Sequence, residues 1–560
     1  MKKLIAVLIF IMAAVSVILY STSDRQISVS KNGSYEDTVD TLISEIAEYA
    51  QMTPAELLVN GRSMAGFDYG AKFGENMEIY CSEDFLEDVM GCCVLDYADG
   101  DVKVERNKKE IYYSGSELMV DADGTFIPVS DVIGDLGYSV EYVLKDNSVN
   151  FTNNDGGDNL PNIYDLRTDG RVTEVRDQGK FGTCWAFAAL GSLETILLPA
   201  EENIYSVDHM SQNNGYSLTL SEGGEHTMSM AYLASWKGPV LEKDDPYGDG
   251  VTDSTLTAVK HLEEAIVIND ASPETIKSAI YKYGGVESSI YMALSYGSQN
   301  SEYYNSGTNS YFYNGDETPN HAVVIVGWND NYPKQNFAIT PESDGAFICK
   351  NSWGTEFGED GYFYISYEDV YVCSQVVVYT VLADADNYDN IYQCDMLGWV
   401  GQIGFSKPQA YFANVYTAES DENLAAVSFY ATDENTTFSV YVVPEYESKE
   451  SLSNRIKVGE GQTRYAGYYT VDLNQRMVLY EGQRFAVVVY VYTPGSTKPI
   501  AIECYAEGRT EDVDISDGEG YVSLMGEIWH RAESSDCNLC LKAFTVNREE
   551  ELIGDVYGDD

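Results

Sequence analysis

Gln178-Gly179-Lys180-Phe181-Gly182-Thr183-Cys184-Trp185-Ala186-Phe187 is a glycine-broken loop that runs straight into alanine-rich, helix-forming sequence ending near Leu198. A cysteine therefore falls at a helix start. There the unpaired backbone N–H groups and the positive end of the helix dipole favour an anionic sulfur, which is a physical route to a reactive thiol. A lone cysteine is more often inert packing, so this loop alone leaves both readings open.

The missing partner lies downstream. Asn320-His321 opens the apolar run 322–326, which closes in Gly327-Trp328, so a histidine leads a buried strand. His209, His226, His261 and His530 lack that setting and read as surface or internally satisfied residues. Phe347-Ile348-Cys349-Lys350 then reads as a pairing strand that delivers Asn351-Ser352-Trp353-Gly354, which brings an amide within reach of the imidazole.

Four separated blocks resemble the papain-like cysteine peptidases: Tyr164-Asp165-Leu166-Arg167 with 172–178, Cys184-Trp185, Asn320-His321-Ala322, and Asn351-Ser352-Trp353-Gly354. The order Gln, Cys, His, Asn is kept over about 220 residues. The resemblance implies Cys184 as nucleophile, His321 as base, Asn351 as orienting amide and Gln178 as oxyanion donor. It implies a thiolate–imidazolium pair, attack on a peptide carbonyl and an acyl-enzyme thioester. Trp353 would shield the His–Asn hydrogen bond and border the substrate, and Gly223-Gly224 would line the cleft and let an extended peptide backbone approach. Tyr247 after Asp245-Pro246, and 358–362, are further echoes.

The likeness also has gaps. Phe181 stands three before the nucleophile, where the family often carries a second cysteine, so the usual disulfide there cannot form. The segment 329–344 is longer than the family's connection and is expected to overhang the primed side of the cleft. The family's inhibitory helix signature is missing from residues 24–158.

The rest of the chain divides by pattern. Met1-Lys2-Lys3 followed by the apolar run 4–20 reads as a signal peptide or membrane anchor over residues 1–23. Residues 24–76 read as helical or irregular, with helical spacing over 39–58. Residues 77–153 read as a small α/β accessory domain, with a short helix near 129–136. Its Gly124-Thr125-Phe126-Ile127-Pro128-Val129 and Leu136-Gly137-Tyr138 resemble the accessory domain named after the N-terminal domain of copper amine oxidases. A polar linker (154–160), the peptidase domain (161–385), a β-sandwich (386–547) and an acidic tail (548–560) follow. Leu397-Gly398-Trp399, the run 410–418, Ala466-Gly467-Tyr468-Tyr469-Thr470 and Lys542-Ala543-Phe544-Thr545 resemble the lectin-like domain that follows papain-like domains in some exported prokaryotic proteins. The expected fold class is α+β: a two-lobed papain-like domain, one lobe helical and one β, between the accessory domain and the sandwich.

Composition narrows the partners. The 560 residues predict three to four folded units, and 44% hydrophobic content supplies their cores. A formal charge of −56 disfavours nucleic acid. Membrane contact is expected only through the N-terminal segment if it is retained. Protein or peptide substrates are the expected partners. A cell-surface glycan on the C-terminal domain stays open, because no sugar site can be named. No cofactor or metal is expected. The Cys537/Cys540 pair lacks a second half-site, which favours a local disulfide or buried thiols over zinc. The expected function is an exported cysteine endopeptidase; the alternatives are a surface adhesin or glycan-binding protein with a vestigial peptidase domain, and a cell-wall peptide amidase.

Overall fold

The computed structural model describes residues 160–548 continuously and, before them, strands and short connections between residues 56 and 153. The chain forms two compact units that divide between Tyr164 and Asp165. The N-terminal export run, the short helix expected at 129–136 and the tail beyond residue 548 lie outside the described residues.

In the first unit the described elements are strands. Glu56–Val59 pairs in parallel with Ser148–Asn153, which also pairs antiparallel with Tyr138–Val143. Residues 56–59 carry helical spacing in the sequence and are nonetheless a strand. Leu57 and Val59 sit opposite Val149 and Phe151 in the ladder, so a period of two wins where the strand finds a partner.

The second unit opens with three helices: α1 (Cys184–Leu197), α2 (Val207–Asn213) and α3 (His226–Ala234). Residues 185–195 of α1 are all buried, so this helix is a core element and not a surface amphipath. A sheet follows, built from β1 (Lys260–Asn269), β2 (Val286–Ile290), β3 (His321–Asn329), β4 (Ala346–Lys350), β5 (Tyr362–Ser366) and β6 (Gln375–Asp384), with α4 (Pro273–Lys282) between β1 and β2. Their spatial order is β5-β4-β3-β2-β6-β1. The residues of β3 from His321 to Trp328 are buried, as the apolar run predicts for an interior strand.

The sheet does not stop at β1. Glu264 to Val267 pair antiparallel with Tyr469 to Ala466 of a later strand, so it continues into the C-terminal region as one 13-stranded sheet. The longer strands there are β7 (Gln409–Thr417), β8 (Glu422–Ala431), β9 (Thr437–Val443), β10 (Ile456–Gln462), β11 (Ala466–Leu479), β12 (Arg484–Tyr492) and β13 (Leu541–Asn547). β11, β8 and β13 extend the large sheet, whereas β10, β9, β12 and β7 belong to a six-stranded sheet. Phe412 and Phe438 of the latter pack edge-on against Phe429 of β8, with ring centroids 6.5 and 5.1 Å apart, which makes the expected sandwich. The fold is α+β as anticipated, and one hydrophobic core holds Tyr205, Met230 and Leu233 together with Tyr430, Tyr468 and Cys540.

Candidate active site

His321 is the first residue of β3, and Asn351 follows the last residue of its antiparallel neighbour β4, so both emerge at one end of the sheet. The His321 Nε2 lies 2.8 Å from Asn351 Oδ1, which also accepts the Ser352 N–H at 2.8 Å. An oxygen already taking a backbone N–H is an acceptor, so Nε2 carries the ring proton and Nδ1 is left as the base. The Trp353 ring lies 4.9 Å from the imidazole and is only 9% exposed, covering the hydrogen bond.

Cys184 is the first residue of α1, as the loop predicts. The backbone N–H groups of Ala322, the residue after His321, and of Trp185 and Cys184 act on the sulfur in favour of its anionic form. This brings Cys184 from the helical lobe towards the sheet end that bears the histidine. Burial dominates the electrostatics of each group: it pushes the Cys184 thiol up and the His321 imidazole down to about 4. Each is therefore neutral near pH 7 unless the proton lost by one is taken by the other. The charged pair expected from the sequence is thus opposed by burial, and the neighbouring backbone N–H groups act in its favour.

Gln178 is held by the same block that holds Asn351. Its backbone N–H donates to Ser352 O at 2.8 Å, its Oε1 accepts the Ser352 hydroxyl at 2.6 Å, and its Nε2 donates to Phe181 O at 2.7 Å. An amide nitrogen carries two protons, and the bond to Phe181 O uses one of them. Tyr247 ties the loop from behind: its hydroxyl donates to Gln178 O at 2.9 Å and is 2.7 Å from the Thr183 hydroxyl.

Gly223 and Gly224 sit beside the nucleophile helix. Gly223 has φ +87°, and a Cβ on Gly224 would come within 2.5 Å of the Trp185 ring, so neither position accepts another residue without strain. A cavity of about 620 Å³ lies on the other side of Trp353, lined by Asp177, Tyr296, Gln299, Glu356 and Phe357. The segment 329–344 does not form this wall. Asn336 O accepts from Asn305, Thr308 and Ser310, and Tyr332 and Phe337 pack on Phe312, so the segment folds back against the sheet edge.

The sequence reading missed the support under residues 173–178. Arg176 donates to Glu194 at 3.1 Å, to Glu242 at 3.1 Å and to Tyr205 O at 2.9 Å, and the Lys350 ammonium donates to Thr173 O and Oγ1 at 2.9 Å. The available signal was a glutamate inside the apolar helix and a lysine ending an apolar strand, since such charges are buried only when paired. His209 and His261 are satisfied internally, by Tyr232 and Asp253 O and by Asn387 with stacking on Trp236. Cys537 and Cys540 are buried free thiols that donate to Ala532 O and Gly398 O.

Residues 160–381 match the papain family cysteine protease profile, and residues 391–545 the lectin like domain profile. The chain therefore carries a papain-family cysteine protease domain followed by a lectin-like domain. Cathepsin L of Sarcophaga peregrina is 27% identical over 220 residues, or 36% of this chain and 58% of that protein. Falcipain-3 of Plasmodium falciparum is 30% identical over 214 residues, 36% of this chain and 39% of that one. The chain thus spans less than two thirds of these relatives. The crystal structure of the cysteine protease and lectin-like domains of Cwp84, a surface layer associated protein of Clostridium difficile, superposes with a TM-score of 0.60 at 26% identity, covering 69% of this chain and 89% of that one. A structure of the same protease after propeptide cleavage gives the same TM-score and is covered to 99%.

Proposed function

We propose that the chain is a cysteine endopeptidase acting outside the cytosol on protein or peptide substrates. The observation that carries this reading is the His321 imidazole locked by Asn351 at 2.8 Å at the sheet end, with Cys184 opening the buried helix and its sulfur acted on by the backbone N–H of Ala322, next to His321. The Cys184 proton passes to His321 Nδ1, the sulfur attacks the scissile carbonyl, and the oxyanion is met by the Gln178 amide and the Cys184 N–H. His321 then protonates the leaving amine, and water, deprotonated by the same ring, hydrolyses the thioester. The test is Cys184→Ala: peptide cleavage and labelling by an epoxide thiol trap are both expected to vanish, and surviving hydrolysis defeats the assignment.

Export is supported by the N-terminal run and by the surface-layer association of the neighbour Cwp84. Maturation by cleavage near residues 159–161 is supported by the polar sequence there and by the propeptide cleavage named for that same neighbour. Incubating residues 21–560 with reductant at mildly acidic pH should yield a new N-terminus in that window; an active protein that stays full length refutes it.

Glycan binding by the lectin-like domain is a second reading. It is favoured by the family match and by a cavity of about 700 Å³ lined by Phe405, Trp529, His530 and Arg531. Glycan-array binding without any turnover by the protease domain would favour it as the main activity.

A further inference from the structure

The lectin-like domain reaches the rim of the substrate cleft. Residues 214–225 connect α2 to α3 and carry Gly223-Gly224, and their outer side is seated on residues of the C-terminal domain. The Tyr216 hydroxyl, on a buried side chain, donates to Leu397 O at 2.7 Å. Ser217 N–H donates to Arg509 O at 2.8 Å, and Glu511 N–H donates to the Ser217 hydroxyl at 3.0 Å. The Arg509 guanidinium forms an ion pair with Glu225, the residue directly after Gly224, and lies 6.0 Å from the Tyr216 ring. A Cβ on Gly215 would come within 2.9 Å of the Leu397 side chain, so the loop and the domain are in direct contact at its start as well.

The inner side of the same loop meets the nucleophile segment. Gly182 N–H donates to Leu220 O at 2.7 Å, and a Cβ on Gly182 would lie 2.8 Å from Gly223 N. The contacts therefore run without a break from Arg509 through residues 217–225 to Gly182, two residues before Cys184.

From this geometry we infer that the lectin-like domain is a clamp on the peptide-binding loop, with Arg509 as a positioning residue for the non-primed side of the cleft. The inference rests on the endopeptidase reading. Its physical content is preorganisation: a loop whose two glycines must accept an extended backbone binds it more tightly when its own conformation is already fixed. The guanidinium and Glu225 are both partly exposed, at 36% and 44%, so the pair acts on loop geometry more than on global stability.

The test uses the full chain and the variants Arg509→Glu, Arg509→Lys and Arg509→Glu with Glu225→Arg. Peptides extended on the non-primed side should lose about threefold to tenfold in kcat/KM with Arg509→Glu, carried by KM. A short ester, reading only Cys184, His321 and Gln178, should stay within about twofold. Arg509→Lys and the charge-swapped pair should restore most of the loss. Hydrogen exchange of amides 217–224 should be faster in Arg509→Glu, a readout that needs no turnover. Equal losses on ester and peptide, no recovery in the swap, or unchanged exchange would overturn the clamp. A wild-type chain that cleaves no peptide would instead defeat the endopeptidase reading, and the exchange measurement alone would still decide the clamp.

Discussion

At the scale of single residues the site depends on one proton and where it rests. Burial raises the Cys184 thiol, so without an imidazole acceptor the sulfur stays almost wholly protonated near pH 6. His321→Gln should therefore slow iodoacetamide labelling of Cys184 at pH 6 by at least about a hundredfold, measured by mass spectrometry against time. Labelling at the wild-type rate would mean that the sulfur is activated by the helix start alone. Gln178→Ala should lower kcat by about a hundredfold or more, as the loss of an oxyanion donor does elsewhere. It should leave labelling by iodoacetamide unchanged, because that reaction forms no oxyanion. Cys184, His321, Asn351 and Gln178 could be named as candidates before any coordinates, because chemistry restricts each to one residue type within a recognisable block, and the structure joins His321 to Asn351. Arg176, Glu194 and Lys350 were not, since a buried ion network can be assembled from many residue choices and leaves no fixed spacing.

At the scale of elements, β2 is the strand whose composition least fits its place. It lies between β3 and β6 in the sheet interior, yet its second residue is Glu287, buried and hydrogen-bonded by the Tyr379 hydroxyl at 3.0 Å. Burial pushes that carboxyl up to about 8. Below the unfolded value both states hold the proton and pH has no effect through this group. Between about 4.5 and 8 the folded state holds a proton that the unfolded state has released, so stability falls as pH rises. Glu287→Gln keeps an acceptor for Tyr379 and removes the titration. Its melting temperature should match wild type at pH 4 and exceed it progressively up to pH 8, by an amount equivalent to a few kcal/mol. A constant offset across that range would show that Glu287 does not titrate there. The strand at Glu56–Val59 teaches the complementary lesson about legibility: apolar residues at mixed spacing fit either period, and only the partner Ser148–Asn153 decides between them.

At the scale of the whole molecule, the sequence suggested a protease domain and a sandwich in succession, and in the second unit one 13-stranded sheet and one hydrophobic core run through both. The change of pattern near residue 388 is real, but strand pairing between β1 and β11 is a long-range event that local alternation cannot announce. This fusion makes a prediction about truncation. Ending the chain at residue 385 would strip β11 from β1 and leave Glu264 to Val267 as an open edge. It would also remove Tyr430, Tyr468 and Cys540, all buried in the core shared with Tyr205 and Met230, and Phe544, which stacks on Trp236 at 5.5 Å. An unpaired apolar edge beside an uncovered aromatic patch is a template for association. Residues 160–385 produced alone should therefore aggregate or elute as higher species in size-exclusion chromatography, whereas residues 160–548 should be monomeric with a single cooperative melt. A monomeric 160–385 fragment melting within a few degrees of the longer chain would show that the protease core closes without the sandwich, and that the shared sheet contributes little to its stability.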